Sequence, residues 1–225
     1  MASNNGVITA VDADGHILER PVDIREYLEA PFQDRATNVW TGDQPWDSAI
    51  NNTLGHPFGY VAGLTPAKQM EIWNRALDDY SIEQAVLFPT GSGTIPGLQE
   101  PDFAIAVARA CNDHFAADYT SDRLMPVGVL PMRDPAAAAA ELGHIKELGL
   151  VGVEVLPIGL PLALGDPIYD PVYAEAERLG ITIGVHGTRH WAREFGGDKL
   201  RTFSEVHAYA FVAGMLLQFT SVMTN

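Results

Sequence analysis

A chain of 225 residues with 47% hydrophobic side chains has apolar material for one large core or two small ones. Its formal net charge of −15 speaks against nucleic acid and anionic membrane as partners, since both need a basic footprint. A single cysteine, Cys111, excludes an internal disulfide framework. Together with an N-terminus lacking a secretory pattern and no run near the ~18 apolar residues of a membrane span, this predicts a cytoplasmic protein.

The first predicted strand is the apolar run that breaks into Asp12-Ala13-Asp14-Gly15-His16. Along a strand, residues i and i+2 project to one side, so Asp14 and His16 are placed to converge on one point. From about residue 19 to 64 no period lasts, and four prolines interrupt the chain. This stretch reads as a long insertion after the first strand, suited to a lid, a pocket wall or an oligomer contact.

A regular grammar follows. Thr65-Pro66 opens a helix, with threonine at N-cap and proline at N1. Ala85–Pro89 is a short buried strand closed by proline, and a helix covers Ala104–Phe115. Val127–Pro131 makes the next strand. Asp134-Pro135 opens an alanine-rich helix that stops at Gly149. Gly152–Pro157 is a fourth strand, and Asp170-Pro171 opens a helix stopped by Gly180. A fifth strand from Ile181 ends on His186, and a last helix covers about 204–223.

Strands alternating with helices over short connections mean parallel βαβ units. The predicted fold class is α/β, a (β/α)₈ barrel type with about the first five units present, forming one domain over residues 1–225. A closed barrel needs eight units, so an open sheet edge and uncovered helix faces are expected. These predict self-association as a homo-oligomer, or a chain that is a fragment or truncated product.

His16 and His186 both fall where a strand gives way to a loop, the catalytic side of parallel α/β folds. With Asp14 they supply the carboxylate and two imidazoles that would hold one divalent ion, zinc first and manganese second. Such an ion could activate water for hydrolysis or act as a Lewis acid in decarboxylation; three ligands alone do not choose. Arg189 and His190, in the loop after His186, are candidate substrate contacts, with Arg189 suited to a carboxylate. Glu154 interrupts an apolar strand, either facing the lumen near the metal or pairing with a neighbour. His114 and His144 fall within helical patterns and read as surface or partly buried. Neither a phosphate-cradling loop nor a serine nucleophile elbow is present.

The ordered set DADGHILE at 12–19, AVLFPT at 85–90, ARACNDHFAADY at 108–119 and RLMPVGVLPMRDPAAAAAEL at 123–142 resembles the amidohydrolase-related metal-dependent hydrolases. GVEVLP at 152–157 and DPIYDPVYAEAERLGITIGVHG at 166–187 extend the resemblance. This family's branch includes aminocarboxymuconate-semialdehyde decarboxylase and gamma-resorcylate decarboxylase. The resemblance implies a distorted barrel with one metal at its mouth. Asp14 and His16 match its first-strand motif, and His186 its fifth-strand histidine. It also implies an eighth-strand aspartate and a sixth-strand catalytic residue, so the general base is expected beyond Asn225. Asn112-Asp113 matches a helix pair of structural character. The expected activity is a metal-dependent hydrolase acting on a small organic acid or lactone. The alternatives are a decarboxylase of an aromatic or muconate-like acid, or an inactive truncated homologue.

Overall fold

A computed structural model describes residues 10–33, 64–91, 95–96, 98–156, 159–186, 199–200 and 202–225. Its strands are β1 (Ala10–Ile17), β2 (Ile82–Pro89), β3 (Leu124–Pro126), β4 (Gly128–Val129), β5 (Gly152–Val155) and β6 (Thr182–Val185). Every pairing is parallel: β1 with β2, β2 with β3, β4 with β5, and β5 with β6. β3 and β4 are halves of one extended segment that changes partner at Val127, whose N–H donates to Leu87 O at 3.0 Å. The described residues thus hold five strand positions in order, each followed by helix, as the sequence pattern predicts. The third strand begins at Leu124, three residues before the apolar run suggests. Arg123 holds that start in place, donating to Ile82 O at 3.0 Å and Glu83 O at 3.1 Å.

The helices are α1 (Pro21–Tyr27), α2 (Pro66–Asp79), α3 (Pro101–Tyr119), α4 (Pro135–Leu148), α5 (Asp170–Leu179) and α6 (Phe203–Thr224). The caps read from sequence form: Thr65 accepts from Lys68 N, and Asp134 from Ala137 N at 3.0 Å. Gly149 and Gly180 end α4 and α5 with φ of 77° and 66°, a left-handed conformation that glycine adopts without a Cβ penalty. One expectation shifts. Asp170 is the first residue of α5 rather than its cap, because a 3₁₀ turn (Pro167–Tyr169) precedes it, capped by Asp166 through Ile168 N at 3.0 Å.

The core lies between the strands and their covering helices, with Leu87, Leu124 and Val153 packed among Val107, Cys111, Phe115, Leu142, Ile145 and Val172. Cys111 is a fully buried core side chain, as its helical position suggests.

The sheet curls strongly. In a flat sheet with strands about 4.8 Å apart, the first and fifth positions would stand roughly 19 Å from each other. Here Asp14 Oδ1 and His186 Nε2, from the ends of those strands, meet at 2.9 Å. Phe88 fills the inside of the curl, and a Cβ on Gly184 would sit 3.1 Å from its ring. That curl is what turns distant strand ends into one site. The stretch predicted as an insertion lies largely outside the described residues.

Candidate metal centre

Asp14, His16 and His186 come together, with ligand atoms all within 4.8 Å of one another. Asp14 Oδ1 lies 2.9 Å from His186 Nε2 and 3.9 Å from His16 Nε2. The imidazole ring centres are 5.0 Å apart, and Phe88 stacks on His186 at 4.3 Å. A carboxylate oxygen and two imidazole Nε2 atoms aimed at one point fit a single divalent ion.

Local structure explains the aim. Between Asp12 and Gly15, β1 advances three residues while β2 advances two, an irregularity in the register. Bulges of this kind re-aim side chains and leave a backbone group without its ladder partner. Asp12 takes up that group, its Oδ1 accepting from Asp14 N at 3.0 Å. Gly15 is required by crowding: a Cβ there would lie 2.8 Å from Leu87 Cδ2 and 2.9 Å from both the Trp73 ring and Val86 O. Trp73 Nε1 donates to His16 O at 3.0 Å and holds the strand end. Leu18 beyond it is clamped by buried Gln69, which accepts from Leu18 N and donates to Leu18 O, both at 2.9 Å.

The two imidazoles are also held from behind. His16 Nδ1 is 3.1 Å from Thr90 Oγ1, and His186 Nδ1 is 3.1 Å from Glu154 Oε1. Thr90 is fixed in turn by Glu19, whose Oε2 accepts from Thr90 N at 3.0 Å and Gly91 N at 2.8 Å. With each Nδ1 engaged, each Nε2 faces the ligand cluster. Metal-bound histidines are characteristically oriented through the second ring nitrogen in this way. Burial alone would push the His186 imidazole down, but the Glu154 hydrogen bond and charge, with the Asp14 charge, outweigh it and raise its pKa above the ordinary 6.5.

Of the two readings of Glu154, both hold: it faces the lumen and pairs with His186. Arg189 and His190 lie outside the described residues. Asp12, Glu19 and Thr90 escaped the sequence reading. The available signal was thin: Thr90 is a polar residue directly after β2, Asp12 lies within β1 and Glu19 stands two residues beyond it.

Of the two helix histidines, His144 is partly buried as expected and His114 differs. His114 is fully buried, because Tyr27 and Tyr119 pack over it and its Nδ1 lies 2.7 Å from Asp118 Oδ2. His144 pairs with Asp113 at 2.7 Å. Asn112 is structural, accepting from Val129 N at 2.8 Å and donating to Val129 O at 3.0 Å.

The amidohydrolase family model matches residues 11–219. The chain belongs to the amidohydrolase family. Gamma-resorcylate decarboxylase of Rhodococcus jostii (strain RHA1) is 31% identical over 157 residues, covering 61% of this chain and 47% of that protein. The chain therefore spans about half the length of this relative. Among solved structures, 2,6-dihydroxybenzoate decarboxylase from Rhizobium superposes with a TM-score of 0.60 at 22% identity, over 95% of this chain and 61% of the other. A 5-carboxyvanillate decarboxylase from Novosphingobium aromaticivorans, complexed with manganese and 4-hydroxy-3-methoxy-5-nitrobenzoic acid, gives 0.59 at 19% identity, over 86% and 56%. These likenesses establish the barrel-type fold, of which this amidohydrolase chain carries five strand positions among its described residues.

Proposed function

We propose that this chain carries the metal centre of a non-oxidative decarboxylase acting on an aromatic carboxylic acid. The carrying observation is the convergence of Asp14, His16 and His186 in a sequence similar to gamma-resorcylate decarboxylase. Hydrolysis, the first expectation from sequence, gives way to decarboxylation on that similarity. The reaction breaks the bond between a ring carbon and its carboxylate, releases carbon dioxide and puts a proton in its place.

A divalent ion at the three ligands would draw electron density from the anionic oxygens of the substrate. The chain's own residues supply orientation and dryness. A small recess adjoins Glu154, lined by Ile95, Pro96, Val129, Leu130, Met132, Val155 and Leu156. Its walls are predominantly apolar, so the side of the site next to Glu154 is kept dry. Arg189 and His190, three and four residues after His186 in the chain, are proposed to contact the substrate carboxylate, arginine through paired donors.

The test is incubation of the manganese-loaded chain with 2,6-dihydroxybenzoate, other hydroxybenzoates and aryl lactones. Carbon dioxide release without lactone cleavage is the expected result. Lactone cleavage without carbon dioxide would return the reading to hydrolysis, and neither product would remove activity from a chain of this length.

We also propose self-association through α6. Tyr209, Val212, Leu216, Phe219 and Met223 recur at alternating spacings of three and four and are between 37% and 69% exposed, the seam of a helix pair. The proposed occupant is a second copy. Glu205 is the sole Asp, Glu, Lys or Arg from residue 203 to 225 in a chain of net charge −15, so apposing two such helices brings little like charge together. Among the described residues no helix is long and apolar enough to cross a membrane. Light scattering should show a dimer that Leu216→Glu dissociates; a monomeric parent would end this proposal.

A further inference from the structure

His186 is bound on both sides of its ring, and the two partners differ in kind. Asp14, 2.9 Å from Nε2, has a side chain 76% exposed and belongs to the ligand cluster. Glu154, 3.1 Å from Nδ1, is 5% exposed and interrupts β5 between buried Val153 and Val155. A carboxylate in a strand interior is costly unless it is paired and hydrogen-bonded.

The register explains how the pair forms. Glu154 sits opposite Gly184, two residues before His186, so both side chains lie on one face of the sheet. Gly184 leaves space for the Phe88 ring, which stacks on the His186 imidazole at 4.3 Å. The backbone of His186 is tied to the same strand, its N–H donating to Val155 O at 3.1 Å. The imidazole is therefore fixed through both its main chain and its Nδ1 by consecutive residues of β5.

We propose that Glu154 is the positioning residue for the metal centre: it holds the Nδ1–H of His186 so that Nε2 is presented to the ion. This rests on the metal reading of the site and adds to it a specific outer carboxylate. A residue that merely cements β5 to β6 would leave the ring tautomer and the metal affinity untouched.

Two measurements on the full chain test it. The first is ¹⁵N NMR of the histidine rings in metal-free protein above the titration range, with His186 assigned by the loss of its signal in His186→Ala. The parent is expected to carry its proton on Nδ1, and Glu154→Ala to lose that preference. A parent protonated on Nε2 overturns the proposal without any variant. The second is titration with manganese alone, followed by electron paramagnetic resonance. Glu154→Ala should weaken binding by roughly 10–100-fold, the range for outer-shell partners of metal ligands. Glu154→Gln keeps an acceptor oxygen and should fall between parent and Ala. Affinity in folded Glu154→Ala within about twofold of the parent, against that range, overturns the proposal. If Glu154→Ala does not fold, Glu154→Gln and the parent tautomer decide. A parent that binds no manganese instead defeats the metal reading, while the tautomer still judges whether Glu154 fixes the ring.

Discussion

The strand-end cluster and the cluster between α3 and α4 both combine carboxylates with histidine, and of these two only the first is built to take a ligand. At the strand ends, Asp14, His16 and His186 gather their ligand-type atoms around a common point, with Glu154 behind. Between α3 and α4, the same residue types are used up internally. Asn112 donates to Glu141 at 2.9 Å while clamping Val129, Arg109 reaches Glu141 at 3.3 Å, and His144 pairs with Asp113 at 2.7 Å. Composition does not separate the two. What separates them is direction and exposure: the first opens to solvent through Asp14, whereas Glu141 is buried at 5%. Buried polar groups that satisfy one another rigidify a fold; groups converging on an open point invite an ion.

This contrast can be broken by exchange of readouts. The largest expected effect is on metal binding. Asp14→Ala or His186→Ala should weaken manganese binding by more than ~100-fold, beyond the range of outer-shell partners, with circular dichroism unchanged. Asn112→Ala should leave the affinity of the folded chain alone. Stoichiometric manganese in both ligand variants would show that the ion sits elsewhere.

Next comes stability. Asn112→Ala strips partners from Val129 N–H, Val129 O and Glu141, and buried polar groups left unmatched cost ~1–3 kcal/mol each. Urea unfolding should register a loss of about 2–4 kcal/mol; a loss no larger than that of an exposed substitution would mean that water replaces the amide. Gly15→Ala forces atoms into contacts of 2.8 to 2.9 Å and should cost about 1–3 kcal/mol by overpacking. A neutral Gly15→Ala would show that the β1–β2 contact can relax.

The smallest effect is on pH dependence in the metal-free chain. Glu141 is raised above its ordinary 4.5 chiefly by burial, against the Asn112 hydrogen bond and the charges of His144 and Arg109. His186 is raised above 6.5 by Glu154 and Asp14 against its own burial. A raised group gives stability fully present below its unfolded-state pKa and lost as pH rises through the folded-state value. Both slopes therefore run downward, Glu141 from 4.5 upward and His186 from 6.5 upward. Thermal melts should show the upper slope vanish in His186→Ala and the lower one in Glu141→Gln. Manganese should oppose the upper slope alone, because the ion and the proton compete for Nε2. An upper slope that survives His186→Ala would assign it to another group.

Much of the fold was legible in local chemistry. Thr65-Pro66 and Asp134-Pro135 announced helix starts, and Gly149 and Gly180 announced stops, because caps depend on neighbours a few residues away. The start of the third strand was less legible, since Arg123 anchors it to carbonyls of β2 some forty positions earlier. His114 was misjudged for a related reason: its burial depends on Tyr27, brought in by α1. The candidate ligands Asp14, His16 and His186 could be named because each stands where an apolar run ends. Asp12, Glu19 and Thr90 could not, because their roles exist only once β1 and β2 lie side by side.

By itself, then, the sequence determined that strands and helices alternate, that the strands are parallel, and that a carboxylate and two imidazoles stand at strand ends. Those are consequences of periodicity and capping, which act over one or two turns of chain. Only the tertiary structure decided that the first and fifth strand positions approach within hydrogen-bonding distance, that a bulge turns Asp14 towards His16, and that Glu154 grips His186. Each of these depends on the curl of the sheet, which sums small twists over five strands and brings together residues separated by up to 172 positions.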